Sequence, residues 1–171
     1  MKLPLFITSF LLMTLTVFAQ QKLEPYPKAT AESLKVLKLK SPLKVPVAEL
    51  LPKGNMSSTI NVAPFQQFKL YTSSNPNQNP QLSKSIHRHY TKELQEQGYH
   101  PIFRCKDNCR SILKQILPKL LSKSTQHYKL FFNTKRYSYT ISHKGSKVML
   151  CITLHNNAKK ITTLIGSTTF K

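Results

Sequence analysis

Acidic side chains are scarce in this chain of 171 residues, which has only six Asp and Glu in total. They are scattered along the sequence at Glu24, Glu32, Glu49, Glu93, Glu96 and Asp107. Enzymes that use general acid–base chemistry often rely on paired carboxylates, and no such pair is evident here. Because no other catalytic constellation stands out, the sequence predicts a protein that is not an enzyme.

Metal-binding and nucleophilic patterns are also missing. His87 and His89 are two residues apart, so on a helix they point to different sides and make a poor metal pair. Cys151 and His155 share a strand face but lie roughly 13 Å apart, too far for a nucleophile and its base. The sequence therefore predicts no metal and no cofactor.

Only one long apolar run occurs, and it lies at the N-terminus. Residues 3–18 carry no charge and follow Lys2, and Val17 and Ala19 are small residues at the −3 and −1 positions of a cut before Gln20. The run is shorter than the roughly 20 residues of a membrane-spanning helix. It has the pattern of a secretory signal peptide over residues 1–19, cleaved before Gln20. The sequence therefore predicts an exported protein, either periplasmic or secreted, with no transmembrane segment after cleavage.

Positive charge is in excess, since 26 Lys and Arg give a formal net charge of +20. Such an excess favours anionic partners, although lysines this dispersed are also typical of a solvated surface. For an exported protein the expected partner is an envelope component: lipopolysaccharide, acidic lipid or cell-wall polymer. The candidate anion-binding residues are Arg104, Lys106, Arg110, Lys114, Lys135 and Arg136.

Nucleic acid is the weaker alternative partner. The segment 127–139, HYKLFFNTKRYSY, interleaves aromatic and basic residues, as in platforms that stack single-stranded bases. In an exported protein, such aromatics more often belong to the core.

The mature chain divides by composition. Residues 20–58 are rich in Pro and Lys, which excludes a long helix and predicts an extended segment with an edge strand near 34–39. Residues 59–171 are long enough for a single domain.

Two segments have helical periodicity. The first, over 80–97, begins at an Asn-Pro pair and ends before Gly98. Its apolar stripe consists of Leu82, Ile86, Tyr90 and Leu94. The second covers 108–123, where Pro118 is expected to kink the helix or divide it into two.

Strand patterns dominate elsewhere. Residues 59–73 predict a strand interrupted at Pro64, and a short strand is expected over 99–105. From residue 137 onward, apolar and polar residues alternate through a turn at 144–146, which predicts an antiparallel meander with one buried face. Residues 128–134 are expected to add a strand before it. The predicted fold is therefore α+β, an antiparallel sheet packed by two helices.

Cys105 and Cys109 are four positions apart in a chain with three cysteines. On an extended strand their Cα atoms would be roughly 13 Å apart, beyond the 4.4–6.8 Å range of a disulfide. A corner between the predicted strand and helix can bring them together, which favours a disulfide and leaves Cys151 free. The alternative is a redox or copper(I) site, because copper(I) prefers paired thiolates and neighbouring cations lower a thiol pKa.

Several pieces of the chain resemble the bacterial envelope proteins of the domain of unknown function 4892 family. They include LEPYPKA after the signal peptide, FQQFKLYT, ELQEQGYHPIFRC, the second cysteine and YSYTISHKGSKVMLCITLH. The resemblance implies a periplasmic or outer-membrane-associated protein.

The sequence thus predicts a non-enzymatic exported envelope protein that contacts an anionic partner. Two alternatives remain open. One is a periplasmic thiol-redox or copper-handling protein that uses Cys105 and Cys109, and the other is a secreted basic factor that acts on membranes or nucleic acid.

Overall fold

The computed structural model describes residues 23–34, 42–47, 58–106, 110–155 and 159–171. The strands are β1 (Thr30–Leu34), β2 (Leu43–Pro46), β3 (Thr59–Val62), β4 (Gln67–Ser74), β5 (His100–Cys105), β6 (Tyr137–Lys144), β7 (Lys147–Leu154) and β8 (Lys160–Thr169). The helices are α1 (Pro80–Glu96), α2 (Arg110–Leu120) and α3 (Gln126–Asn133). The predicted signal peptide lies outside the described residues. Within them, no helix is long and apolar enough to cross a membrane.

Six strands form one antiparallel sheet in the order β1-β4-β8-β7-β6-β5. The predicted C-terminal meander is confirmed, because β6, β7 and β8 follow one another in chain and in space. β5 is one edge of this sheet, and its pairing with β6 shifts register between Pro101 and Phe103. β2 and β3 pair separately as a two-stranded sheet.

The sheet is covered on both faces, whereas the alternation predicted one buried face. Helix α1 packs on the face that carries Met149 and Cys151. Helices α2 and α3, together with β2 and β3, pack on the face that carries Leu150 and Ile152. Cys151 is fully buried as a result. Alternation arises because side chains point to opposite faces, but it does not reveal whether the more polar face is also covered.

Helix α1 matches its prediction closely. The side chain of Asn79 accepts a hydrogen bond from the backbone N–H of Gln81, and Pro80 occupies the first turn. Gly98 follows the helix with a φ of 84°, a left-handed conformation that glycine adopts without strain. Ile86, Tyr90 and Leu94 are buried, whereas Leu82 is half-buried.

Helix α2 ends two residues after Pro118, so the proline lies in its last turn. It therefore does not divide the predicted helix into two. The apolar residues of α2 enter the core, and they are Ile112, Leu113, Ile116, Leu117 and Leu120.

The predicted strand over 128–134 is wrong, because these residues belong mostly to helix α3. Thr125 caps this helix by accepting a hydrogen bond from the N–H of Tyr128 at 3.1 Å. Tyr128 and Phe131 are buried on its inner side. The predicted α+β fold is confirmed, and three helices pack on the sheet in the described part of the chain where two were predicted.

The N-terminal segment contributes to both sheets. β1 is the second edge of the large sheet, and β2 pairs with β3. Of the edge strand expected near 34–39, only Leu34 lies within the described residues, where it is the last residue of β1.

Candidate anion-binding site

A cavity of about 310 Å³ lies between helix α1 and the strands β5 and β6, and we call it the basic pocket. Its lining residues come from four parts of the chain that are separated in sequence. They are Lys84, His87, Arg88, Thr91, Arg104, Cys105, Lys106, Ser138, Thr140 and His155. Four of these are Lys or Arg, and none of the described lining residues is acidic. Asp107, which follows Lys106, lies outside the described residues.

Helical spacing places the α1 side chains of the basic pocket. Lys84, Arg88 and Thr91 are four and then three residues apart, so they share one side of the helix. Lys84 and Arg88 are exposed, while the neighbouring Ile86 and Tyr90 are buried against the sheet. The helix therefore directs two cations toward the edge strand while its apolar stripe fixes its position.

The end of β5 places two further cations at the basic pocket. Arg104 is paired with Thr140 of β6, and both line the basic pocket. Lys106 follows directly after the last residue of β5 and lines the same pocket. Arg104 and Lys106 are both exposed. β5 is an edge strand, and it borders the opening of the basic pocket together with α1.

The floor of the basic pocket is a network of buried hydrogen bonds centred on His87. Its Nε2 lies 2.9 Å from the Thr140 hydroxyl and its Nδ1 lies 3.0 Å from the Thr153 hydroxyl. The Thr153 hydroxyl is in turn 3.0 Å from that of Thr163. The ring is thus held from both nitrogens, as buried polar groups require.

Burial, and to a smaller extent the charges of His155, Arg104 and Lys106, lower the pKa of His87 to about 3. The imidazole is therefore neutral at neutral pH. Its lowered pKa also reflects the positive charge around the basic pocket, since nearby cations disfavour a second one.

Cys151 lies under His87, with its Sγ 3.7 Å from Nδ1. Burial raises the pKa of this thiol to about 12, so it is neutral as well. A nucleophilic cysteine needs the thiolate, which these surroundings disfavour. Cys151 is a free thiol that packs in the core, and sequence analysis missed its contact with His87 because α1 is far away in the chain.

A second, more open cavity of about 880 Å³ lies between α3 and the strands β1, β4 and β8. We call it the α3 groove. It is lined by Glu32, Leu70, Thr72, Gln126, His127, Lys129, Leu130, Asn133, Thr134, Lys135, His155, Lys160 and Thr162. Glu32 and His127 approach each other at 3.8 Å with Glu32 largely exposed. His155 lines both cavities.

The six predicted anion-binding residues are divided among several surfaces. Arg104 and Lys106 line the basic pocket, and Lys135 lines the α3 groove. Lys114 lies over the ring of Phe132, 5.6 Å from its centroid.

Arg110 and Arg136 lie outside both cavities. Arg110 is the exposed first residue of α2. Arg136 is exposed, and its carbonyl accepts a hydrogen bond from the N–H of His155. Sequence analysis missed Lys84 and Arg88, whose only signal was their spacing on a predicted helix.

Cys105 ends β5, as the corner between strand and helix requires, and α2 begins at Arg110. Cys109 lies outside the described residues, so the disulfide remains a prediction. Within the described part of the chain, no group of three or more His, Cys, Asp or Glu is placed to hold a metal ion.

No protein-family model and no curated protein matches the chain. The resemblance to the domain of unknown function 4892 family therefore stays a prediction.

Proposed function

We propose that this chain is an exported, non-enzymatic envelope protein that binds an anionic envelope component through the basic pocket. The partner is lipopolysaccharide, acidic lipid or cell-wall polymer, which share phosphate or carboxylate groups. Export is inferred from the signal-peptide pattern over residues 1–19.

The observation that supports this proposal most is the convergence of four cations, Lys84, Arg88, Arg104 and Lys106, on one cavity. A bound anion would interact favourably with each of these positive charges.

The lining also suits oxyanions chemically. Arginine forms paired hydrogen bonds to carboxylate and phosphate, and the basic pocket has one arginine on α1 and another on β5. Ser138 and Thr140 add hydroxyl groups at its floor. Because the two arginines are on separate packed elements, they are held apart before any ligand binds.

A paired-lysine variant tests the proposal. Lys84→Gln with Lys106→Gln should weaken binding to anionic vesicles, lipopolysaccharide or cell-wall polymer about tenfold at low salt, or ~1.4 kcal/mol. Binding of the unmodified protein should weaken as salt screens the charges. Co-sedimentation at low and high salt measures both effects.

The matched control is Lys147→Gln with Lys171→Gln, which removes the same charge at the opposite end of β7 and at the C-terminus. Both lysines are exposed. Equal losses in the two variants would show that dispersed charge, and not the basic pocket, binds the partner.

The second candidate function is thiol redox or copper(I) handling by Cys105 and Cys109. It is supported by Cys105 lining the basic pocket, where a solute that enters the pocket could reach its sulfur. A structural disulfide should resist mild reductant, and its loss should lower the free energy of unfolding by roughly 2 kcal/mol.

Non-reducing peptide mapping and copper(I) titration distinguish the two roles of this pair. We expect a Cys105–Cys109 bridge and weak copper(I) binding after reduction. Easy reduction and tight copper(I) uptake would instead favour the second candidate, and a bridge to Cys151 would refute the pairing.

A further inference from the structure

His155 connects the two cavities of the protein. It follows β7 and contributes to the lining of both the basic pocket and the α3 groove. Its Nε2 lies 2.8 Å from the Ser138 hydroxyl, and its N–H donates to the carbonyl of Arg136 at 2.8 Å. The ring is therefore held in place where the two cavities meet.

The α3 groove continues the positive charge beyond His155. Lys129 of α3, Lys135 after α3 and Lys160 at the start of β8 all line it and are exposed. Glu32 is the acidic residue among its described lining residues, and it already lies close to His127. Three lysines therefore border the part of the α3 groove that is not occupied by this pair.

We propose that the basic pocket and the α3 groove form one site for a linear polyanion that passes over His155. This inference rests on the proposed function and specifies its partner. The ligand class is a polymer with oxyanion groups along its backbone and no aromatic bases.

The positive charge is divided between two cavities, which favours a linear polymer as the ligand rather than a single compact anion. A single phosphate or carboxylate would be satisfied by the four cations of the basic pocket alone. A polymer has further charges at intervals, and its next segments would meet Lys129, Lys135 and Lys160. Because α3 is capped at Thr125 and packed through Phe131, the backbone position of Lys129 on this helix is fixed.

The lining residues favour a polymer without bases. Among the described residues that line either cavity, none is Phe, Tyr or Trp. Proteins that bind single-stranded nucleic acid stack bases on such rings. Phe132, the exposed aromatic of α3, is stacked on Tyr128 and contacts the Lys114 cation instead.

The test compares a short and a long inorganic polyphosphate by calorimetric titration. Tripolyphosphate should bind the basic pocket, and long-chain polyphosphate should bind more tightly with a steeper salt dependence. The variant Lys129→Gln with Lys160→Gln should leave tripolyphosphate binding unchanged. It should weaken long-chain binding about tenfold and reduce the steepness of log affinity against log salt by about 1.4, or ~0.7 for each lysine removed.

The matched control is again Lys147→Gln with Lys171→Gln, which should leave long-chain binding within twofold of the unmodified protein. Equal weakening by the two variants would overturn the continuous site. So would a loss of tripolyphosphate binding in the groove variant. If the unmodified protein binds neither polyphosphate, the proposed function itself fails.

Two further ligands identify the polymer class. Polygalacturonate, a carboxylate glycan, should show the same sensitivity to the groove variant if carboxylates replace phosphates in the natural partner. Its failure beside strong polyphosphate binding would assign the site to phosphate polymers. Oligo(dT) should bind no better than an abasic strand of equal length, and a clear preference for the strand with bases would overturn the proposal in favour of nucleic acid.

Discussion

At the scale of the residue, His87 is the most constrained polar side chain of the site. Two threonine hydroxyls hold its ring nitrogens, and Cys151 packs beneath it. The sequence showed only a histidine near the middle of an amphipathic helix. Its neutral state depends on burial by β6 and β7, which no local pattern reveals.

This burial predicts a pH dependence of stability. The pKa of His87 is about 3 in the fold against an ordinary value of 6.5, so between these values the unfolded chain binds a proton that the native protein does not. The free energy of unfolding should therefore fall as pH drops below 6.5. Between about pH 7 and about pH 5 the loss from His87 is about 2 kcal/mol.

Urea unfolding of His87→Gln measures this contribution. The variant should be less stable than the unmodified protein near neutral pH, because it loses part of the threonine network, but it should lose about 2 kcal/mol less on acidification. His100→Gln is the control, since His100 is exposed at the start of β5. If His87→Gln is as acid-sensitive as this control, His87 is not the buried neutral group.

At the scale of the element, sequence patterns predicted the structures whose period is long and whose ends are marked. Helix α1 has four apolar positions, an Asn-Pro start and a Gly stop, and β6 and β7 alternate over eight residues each. Helix α3 has only eight residues. Its short apolar run fits the period of a strand as well as that of a helix. The capping residue Thr125 is the feature that indicates a helix.

Removing this cap should destabilise α3. Thr125→Ala deletes the hydroxyl that accepts from Tyr128 N–H at 3.1 Å and donates to the Ser122 carbonyl at 2.7 Å. The expected loss is about 1 kcal/mol in the free energy of unfolding, measured with denaturant.

Thr125→Ser keeps the hydroxyl and should retain most of this stability. An alanine variant as stable as the serine variant would show that packing of Tyr128 and Phe131, and not the cap, holds α3 in place.

At the scale of the whole molecule, the candidate site is built by topology. Arg104 and Lys106 could be named from the sequence because they flank a cysteine. Lys84 and Arg88 could not, because only the packing of α1 beside β5 brings them to the same cavity. The shared position of His155 was equally hidden, since it depends on where α3 lies relative to the end of β7.

Because β5 lies at the edge of the sheet, Arg104 has a second effect, on the tendency of the protein to aggregate. An open sheet edge can add a strand from another molecule, which leads to aggregation. β5 carries an exposed proline without an N–H at Pro101, an irregular register beside it and the exposed cation Arg104, and each of these obstructs such an addition. Arg104, which borders the basic pocket, thereby also helps to keep one copy of the protein from adding its sheet to that of the next.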